Sequence, residues 1–142
     1  MSTKMTEPER EEFLKALHVG VLSVAEPSRG PLTVPVWYDY GRDTGLWFVT
    51  DRDSRKGKLL QRAKRCSLCV QDEQPPYRYV SVEGPIELAD ADRERHLRPL
   101  ARRYLGVEGG DRYTETSAGA PGATLLVTLR PERWLTVDYG KA

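Results

Sequence analysis

Three short apolar runs rich in Val, Leu and aromatic residues follow one another early in the chain: Val19–Val24, Leu32–Tyr40 and Leu46–Thr50. Each is too short and too β-branched to be a helix. Only brief polar turns separate them, Glu26-Pro-Ser-Arg-Gly30 and Gly41-Arg-Asp-Thr-Gly45. Parallel strands need a long crossover, so strands joined this closely pair antiparallel, as a meander. Within the second run Val34, Val36 and Tyr38 alternate with Thr33, Pro35 and Trp37. Pro35 cannot donate to a ladder, which predicts a sheet edge, a bulge, or backbone left open to something else. Further strands are expected at Ser67–Gln71, Tyr77–Leu88, Ala123–Leu129 and Trp134–Tyr139. Gly84-Pro85 should mark a break or bulge in the long one.

Three helices are expected among these strands. Thr6 and Glu9 have capping-box spacing, and Phe13, Leu14 and Leu17 make a narrow apolar stripe that ends near His18. A second helix runs from about Arg55 to Lys64 with Leu59, Leu60 and Ala63 as its apolar side. A third begins at Ala89–Asp92 with acids in its first turn, and Pro99 should kink or split it. Gly106–Gly122 holds five glycines and reads as a long mobile loop, of the kind that forms lids or partner contacts. About seven strands with mostly short connections give a mainly β fold, a β-barrel with helices packed outside, in a single domain spanning 1–142.

The stretch Asp51–Arg65 stands out chemically. From Arg52 to Arg65 there are seven Lys or Arg against one acid, Asp53, while the whole chain carries only +1. A strand that passes through Asp53-Ser54 into a basic helix makes an anion site. The first-turn N–H groups of a helix lack partners and carry partial positive charge. Ser54 can cap or donate, and Lys56 and Lys58 add full charges. The ligand expected is a phosphate or carboxylate on a small molecule.

Near-neutral overall charge argues against a protein that coats nucleic acid. No apolar run reaches the roughly 20 residues of a membrane helix. The first residues are charged and lack the apolar core of a signal peptide, so a cytoplasmic protein is expected. Cys66 and Cys69 form a C-x-x-C, but on a strand positions i and i+3 face opposite ways, so they read as small strand residues. His18 reads as a helix-end residue and His96 as an exposed helix residue. No metal site is expected.

The order of these elements resembles the split-barrel flavin and deazaflavin proteins of the pyridoxamine 5'-phosphate oxidase class. The resemblance rests on Val19-Gly-Val-Leu-Ser-Val24, Pro35-Val-Trp-Tyr38, and Leu46-Trp-Phe-Val-Thr50 followed by Ser54-Arg-Lys-Gly-Lys58. It continues through Val82-Glu-Gly-Pro85 and Leu129-Arg-Pro-Glu-Arg-Trp134. It implies an FMN-binding-like split barrel and a homodimer with two cofactor sites at the subunit interface. The cofactor implied is the deazaflavin F420, with FMN as the alternative. Ser54, Arg55, Lys56 and Lys58 would grip its phosphate, and Pro35, Val36, Trp37, Val49 and Thr50 would line its ring. Gln74, Tyr77 and Tyr79 would reach in from the partner subunit. The implied activity is hydride transfer between the cofactor and a small electron-poor organic substrate. Tyr38, Tyr77 and Tyr79 are candidate proton donors. The chain lacks the C-terminal arginine-bearing segment of enzymes that oxidise pyridoxamine phosphate, so that reaction is not expected. A non-catalytic carrier or sensor of flavin, deazaflavin or haem is the competing reading.

Overall fold

The computed structural model describes residues 2–117 and 119–142. The elements follow in the order α1 (Glu7–Lys15), β1 (Gly20–Val24), β2 (Leu32–Val36), β3 (Asp39–Gly41), β4 (Gly45–Asp51), α2 (Arg55–Ala63), β5 (Arg65–Asp72) and β6 (Arg78–Asp90). A π-turn (Arg93–Leu97), α3 (Arg98–Ser117), β7 (Thr124–Leu129), β8 (Arg133–Asp138) and a 3-10 turn (Tyr139–Lys141) complete the chain. The strands form one antiparallel sheet in the order β2-β1-β5-β6-β7-β4-β3, with β8 also paired to β6. The first part of β6 pairs with β5 and β8, and the part from Ile86 onward pairs with β7. The exchange of partners falls at Gly84-Pro85, so the expected break is the corner where one half-barrel passes into the other.

Alternation decides what is inside. Leu22 and Val24 of β1, Leu46 and Phe48 of β4, Leu68 and Val70 of β5, Val80 and Val82 of β6, and Leu125, Val127 and Leu129 of β7 are all buried. Phe13 and Leu14 of α1 and Leu59 and Leu60 of α2 close the same core. Burying each such side chain stabilises the fold by about 1.5–3 kcal/mol. The capping box at Thr6 is present, with Glu9 N–H donating to Thr6 Oγ1 and Thr6 N–H to Glu9 Oε1. Cys66 points inward, where burial pushes its thiol up to about 12, and Cys69 points outward, so the pair shares no face.

Four expectations need correction. The run Leu32–Tyr40 is two strands, broken at Trp37-Tyr38. The break persists because α3 supplies the missing partners: Tyr104 Oη accepts from Tyr38 N–H at 3.0 Å, and Arg103 Nε donates to Tyr38 O at 3.0 Å. The third helix starts later than Ala89, because β6 continues to Asp90 against β7. Pro99 does not break it: helical residues run on from Arg93, and the chain passes from π-turn to α-helix at Arg98, one residue before the proline. Finally, within the expected loop, Val107–Ser117 is helical, and Ala118 lies outside the described residues. The bend falls at Gly106, whose φ of 78° suits glycine, and it folds α3 into a helical hairpin. Arg98 pins that hairpin by pairing with Glu94, Asp111 and Glu115.

Candidate functional site

The strand β4 runs into α2 through a tight turn fixed by hydrogen bonds. Ser54 N–H donates to Asp51 O at 3.2 Å and Ser54 Oγ donates to the same carbonyl at 2.7 Å. Ser54 Oγ also accepts from Gly57 N–H at 3.0 Å, and Ser54 O accepts from Lys58 N–H at 2.9 Å. A Cβ on residue 57 would lie 2.1 Å from Asp51 O, so only glycine lets the helix seat this closely on the strand. The first-turn N–H groups of Arg55 and Lys56 make no hydrogen bond among the described residues.

This turn borders a cleft of about 610 Å³. Val49, Thr50 and Asp51 of β4, Ser54, Arg55 and Lys56 of the turn and helix, and Thr124 of β7 form one side. Leu32 and Val34 of the edge strand form a second, and Leu97, Tyr113 and Ser117 of the π-turn and α3 a third. Val49, Asp51 and Thr124 lie on the outer face of the β4–β7 pair, and the helical hairpin covers it there. Tyr113 and Ser117, from the segment expected to be a mobile loop, are therefore part of a helical wall of the cleft.

The charges are not equivalent. Three of the seven basic residues of Arg52–Arg65 are already paired: Arg52 with Asp90, Arg55 with Glu26 and Arg65 with Glu132. The Arg55 guanidinium holds the Glu26 carboxyl below the usual carboxylate range. Lys56 is different. Burial lowers its ammonium below the ordinary lysine value, Asp51 is the acid that opposes this, and no hydrogen bond contributes. A half-buried ammonium without an ion partner among the described residues is a charge held ready for an anion. Lys58 is exposed and outside the lining.

The other expected site residues are distributed as follows. Val36 is in the core at 6% exposure. Trp37 stacks flat on Tyr104, ring centroids 5.1 Å apart, and meets Tyr113 at 5.2 Å, so it backs the cleft rather than lining it. Pro35 sits on the edge strand, opposite Val21, on the sheet face away from Val34 and Val36. Gln74, Tyr77 and Tyr79 belong to the β5–β6 end of the sheet. The register Gly20↔Val70 and Ser23↔Ser67 places that end remote from Leu32 and the cleft of the same chain. Tyr38 is fully buried and donates to Leu14 O at 2.9 Å, and burial raises its phenol further, so it cannot deliver a proton. Leu32, Val34, Leu97, Tyr113, Ser117 and Thr124 were not anticipated. Period-two alternation in β2 groups Leu32 and Val34 with Val36 and was a usable signal for the first two. Nothing local in the sequence marks the α3 residues.

Comparisons with known proteins bear on this arrangement. The family model described as pyridoxamine 5'-phosphate oxidase matches residues 6–138. Comparison with curated proteins gives no match. Among solved structures, a conserved hypothetical protein of Mycobacterium tuberculosis superposes with a TM-score of 0.81 at 23% identity, over 99% of this chain and 89% of that one. An F420 reductase gives 0.61 at 22% identity, over 88% of this chain and 94% of that one. The haem storage protein HutZ of Vibrio cholerae gives 0.67 at 16% identity, over 97% and 96% of the two chains. At these identities the structures establish the shared fold alone. The family match over nearly the whole chain, together with the split barrel it folds into, shows that this chain belongs to the pyridoxamine 5'-phosphate oxidase family.

Proposed function

We propose that the cleft binds the anionic arm and ring of a flavin-type cofactor, F420 in the first instance with FMN as the alternative, and that the protein is an oxidoreductase. The observation that carries this reading is Lys56, a half-buried ammonium beside two free helix N–H groups at the mouth of a cleft. The residues present fit a phosphate: the Lys56 charge and the first turn of α2 lie on one side of the cleft, and the Asp51 carboxylate beside them is the group the charge must outweigh. The cleft volume of about 610 Å³ lies within the roughly 300–1,000 Å³ usual for cofactor pockets. Leu32, Val34, Val49 and Leu97 supply apolar walls for a flat ring. The bound cofactor would supply hydride transfer to or from a small electron-poor substrate. This chain's residues hold the phosphate, exclude water from the ring and orient it. Ser54 shapes the turn instead of contacting the ligand, because its hydroxyl is already used in both directions. Similarity to an F420 reductase supports the deazaflavin.

A homodimer completes the proposal. The outer face of the β2-β1-β5-β6-β8 half presents the cross-strand row Pro35, Val21, Cys69, Ser81 and Leu135. Leu135 is 58% exposed and Tyr77 53%. A two-fold pairing through this face would bring Gln74, Tyr77 and Tyr79 of one subunit toward the cleft of the other. A carrier without turnover is favoured by one feature: among the described residues Tyr113 is the only phenol or imidazole lining the cleft, and a carrier needs no proton donor.

The test is a spectroscopic titration with F420 and with FMN, followed by turnover of reducible acceptors. Lys56→Ala should weaken the cofactor at least about tenfold, since a charge-assisted contact is worth about 1.5 kcal/mol or more. Affinity unchanged by that substitution would remove the assigned grip. Binding with no turnover of any acceptor would select the carrier.

A further inference from the structure

A second hollow, of about 320 Å³, lies further along the outer face of the β4–β7 pair and shares no residue with the cleft above. Thr44, Trp47, Arg95, His96, Leu126 and Thr128 line it. Trp47 and Thr128 are directly opposed across the two strands. Its floor is Leu126 and the edge of Trp47, whose ring meets the His96 ring edge-on, centroids 5.6 Å apart.

Its polar side is built by the π-turn. Leu97 N–H reaches back to Asp92 O at 3.2 Å, the wide i→i+5 bond. Such turns are less favourable than α-helix and are often kept where function needs them. Here the turn presents Arg95 and His96 side by side. Asp92 N–H donates to His96 Nδ1 at 2.8 Å. The neutral imidazole therefore carries its proton on Nε2, which remains as a donor. Burial, then the Arg95 charge, hold His96 below the usual imidazole range, so it is neutral at pH 7. Arg95 has no ion pair among the described residues. Its neighbours Arg93 and Arg98 already engage Glu94 and Glu115. Among the described residues no carboxylate lines the hollow.

We infer that this hollow binds a small carboxylate with a compact aromatic or apolar body. The carboxylate lies between the Arg95 guanidinium and His96 Nε2–H, and the body rests on Leu126 and the Trp47 edge. The site is separate from the cofactor cleft and does not depend on that cleft's assignment.

The experiment is an amide-resolved NMR titration of the full chain with benzoate, with benzamide as the uncharged isostere. Saturable shifts confined to the backbone of Thr44, Trp47, Arg95, His96, Leu126 and Thr128 are expected. Benzamide should bind at least about tenfold more weakly, and Arg95→Gln should weaken benzoate by a similar factor. Arg95 is exposed, so the variant should keep the parent spectrum outside the π-turn. Absence of saturable shifts, equal affinity for benzamide, indifference to Arg95→Gln, or displacement of benzoate by FMN would each overturn the assignment. The last outcome would place benzoate in the main cleft.

Discussion

Two lysines two positions apart on α2 carry the same charge and have different roles. Lys56 is half-buried at the cleft and Lys58 faces solvent. Lys58→Ala should therefore change cofactor affinity by no more than about twofold, a screened surface charge being worth a few tenths of a kcal/mol. Paired calorimetric titrations of the Lys56 and Lys58 variants check this. Gly57 between them gives a second residue-scale prediction. In most helices Gly→Ala is worth nearly 1 kcal/mol of added stability. Here the new methyl would sit 2.1 Å from Asp51 O and 2.9 Å from Arg52 O, both backbone atoms that cannot swing away. Gly57→Ala should destabilise by about 1–3 kcal/mol, read as a lower Tm, and should also weaken cofactor binding. A variant as stable as the parent would mean the turn is not seated this closely. The basic count in Arg52–Arg65 was legible from the sequence. Which charges are spent on Asp90, Glu26 and Glu132 was not, because those acids come from elsewhere in the chain.

At the scale of elements, the α3 hairpin was the least legible part. Its composition, rich in glycine and hydroxyl residues, reads as loop because local propensity favours neither helix strongly nor strand. The hairpin forms because ion pairs and aromatic contacts between distant residues hold it. Arg98 joins Glu94, Asp111 and Glu115, and Tyr113 packs on Trp37. The network sets a pH dependence. Arg102 and then Arg98 hold the Asp111 carboxyl down from 3.8 to about 2, and Arg98 lowers Glu94 and Glu115 below 4.5. These are depressed carboxylates, so their stabilisation is present above the ordinary carboxylate range. It drains as pH falls through the folded values. Amide protection factors across the hairpin, with the intrinsic pH dependence of exchange divided out, should be steady from neutral pH down to about 5, then fall as pH falls toward about 2. Arg98→Met should speed exchange at neutral pH and flatten that dependence. An unchanged profile in the variant would show that the pairs do not hold the hairpin.

For the whole molecule, the open face of the β2-β1-β5-β6-β8 half is the consequential surface. Leu135 is exposed at the β8 end of a row of small and apolar residues. Leu135→Asp should convert a dimer to a monomer in light scattering and weaken the cofactor, while leaving Lys56 and the cleft of each chain intact. A variant that remains dimeric, or a parent that is monomeric, would remove the proposed interface. The described residues contain no helix long and apolar enough to cross a membrane.

Period-two alternation and short polar turns alone settled the antiparallel strands and their inward faces, since both are local properties of the backbone. The capping motifs at Thr6 and Ser54 were legible for the same reason. Tertiary structure alone decided where the run Leu32–Tyr40 breaks, that residues 107–117 are helical, and which residues share the cleft with Lys56. Each depends on partners distant in the chain, such as Tyr104 on Tyr38, 66 residues away, and Asp111 on Arg98, 13 residues away. No pattern within a single element records a partner that only the folded chain brings near.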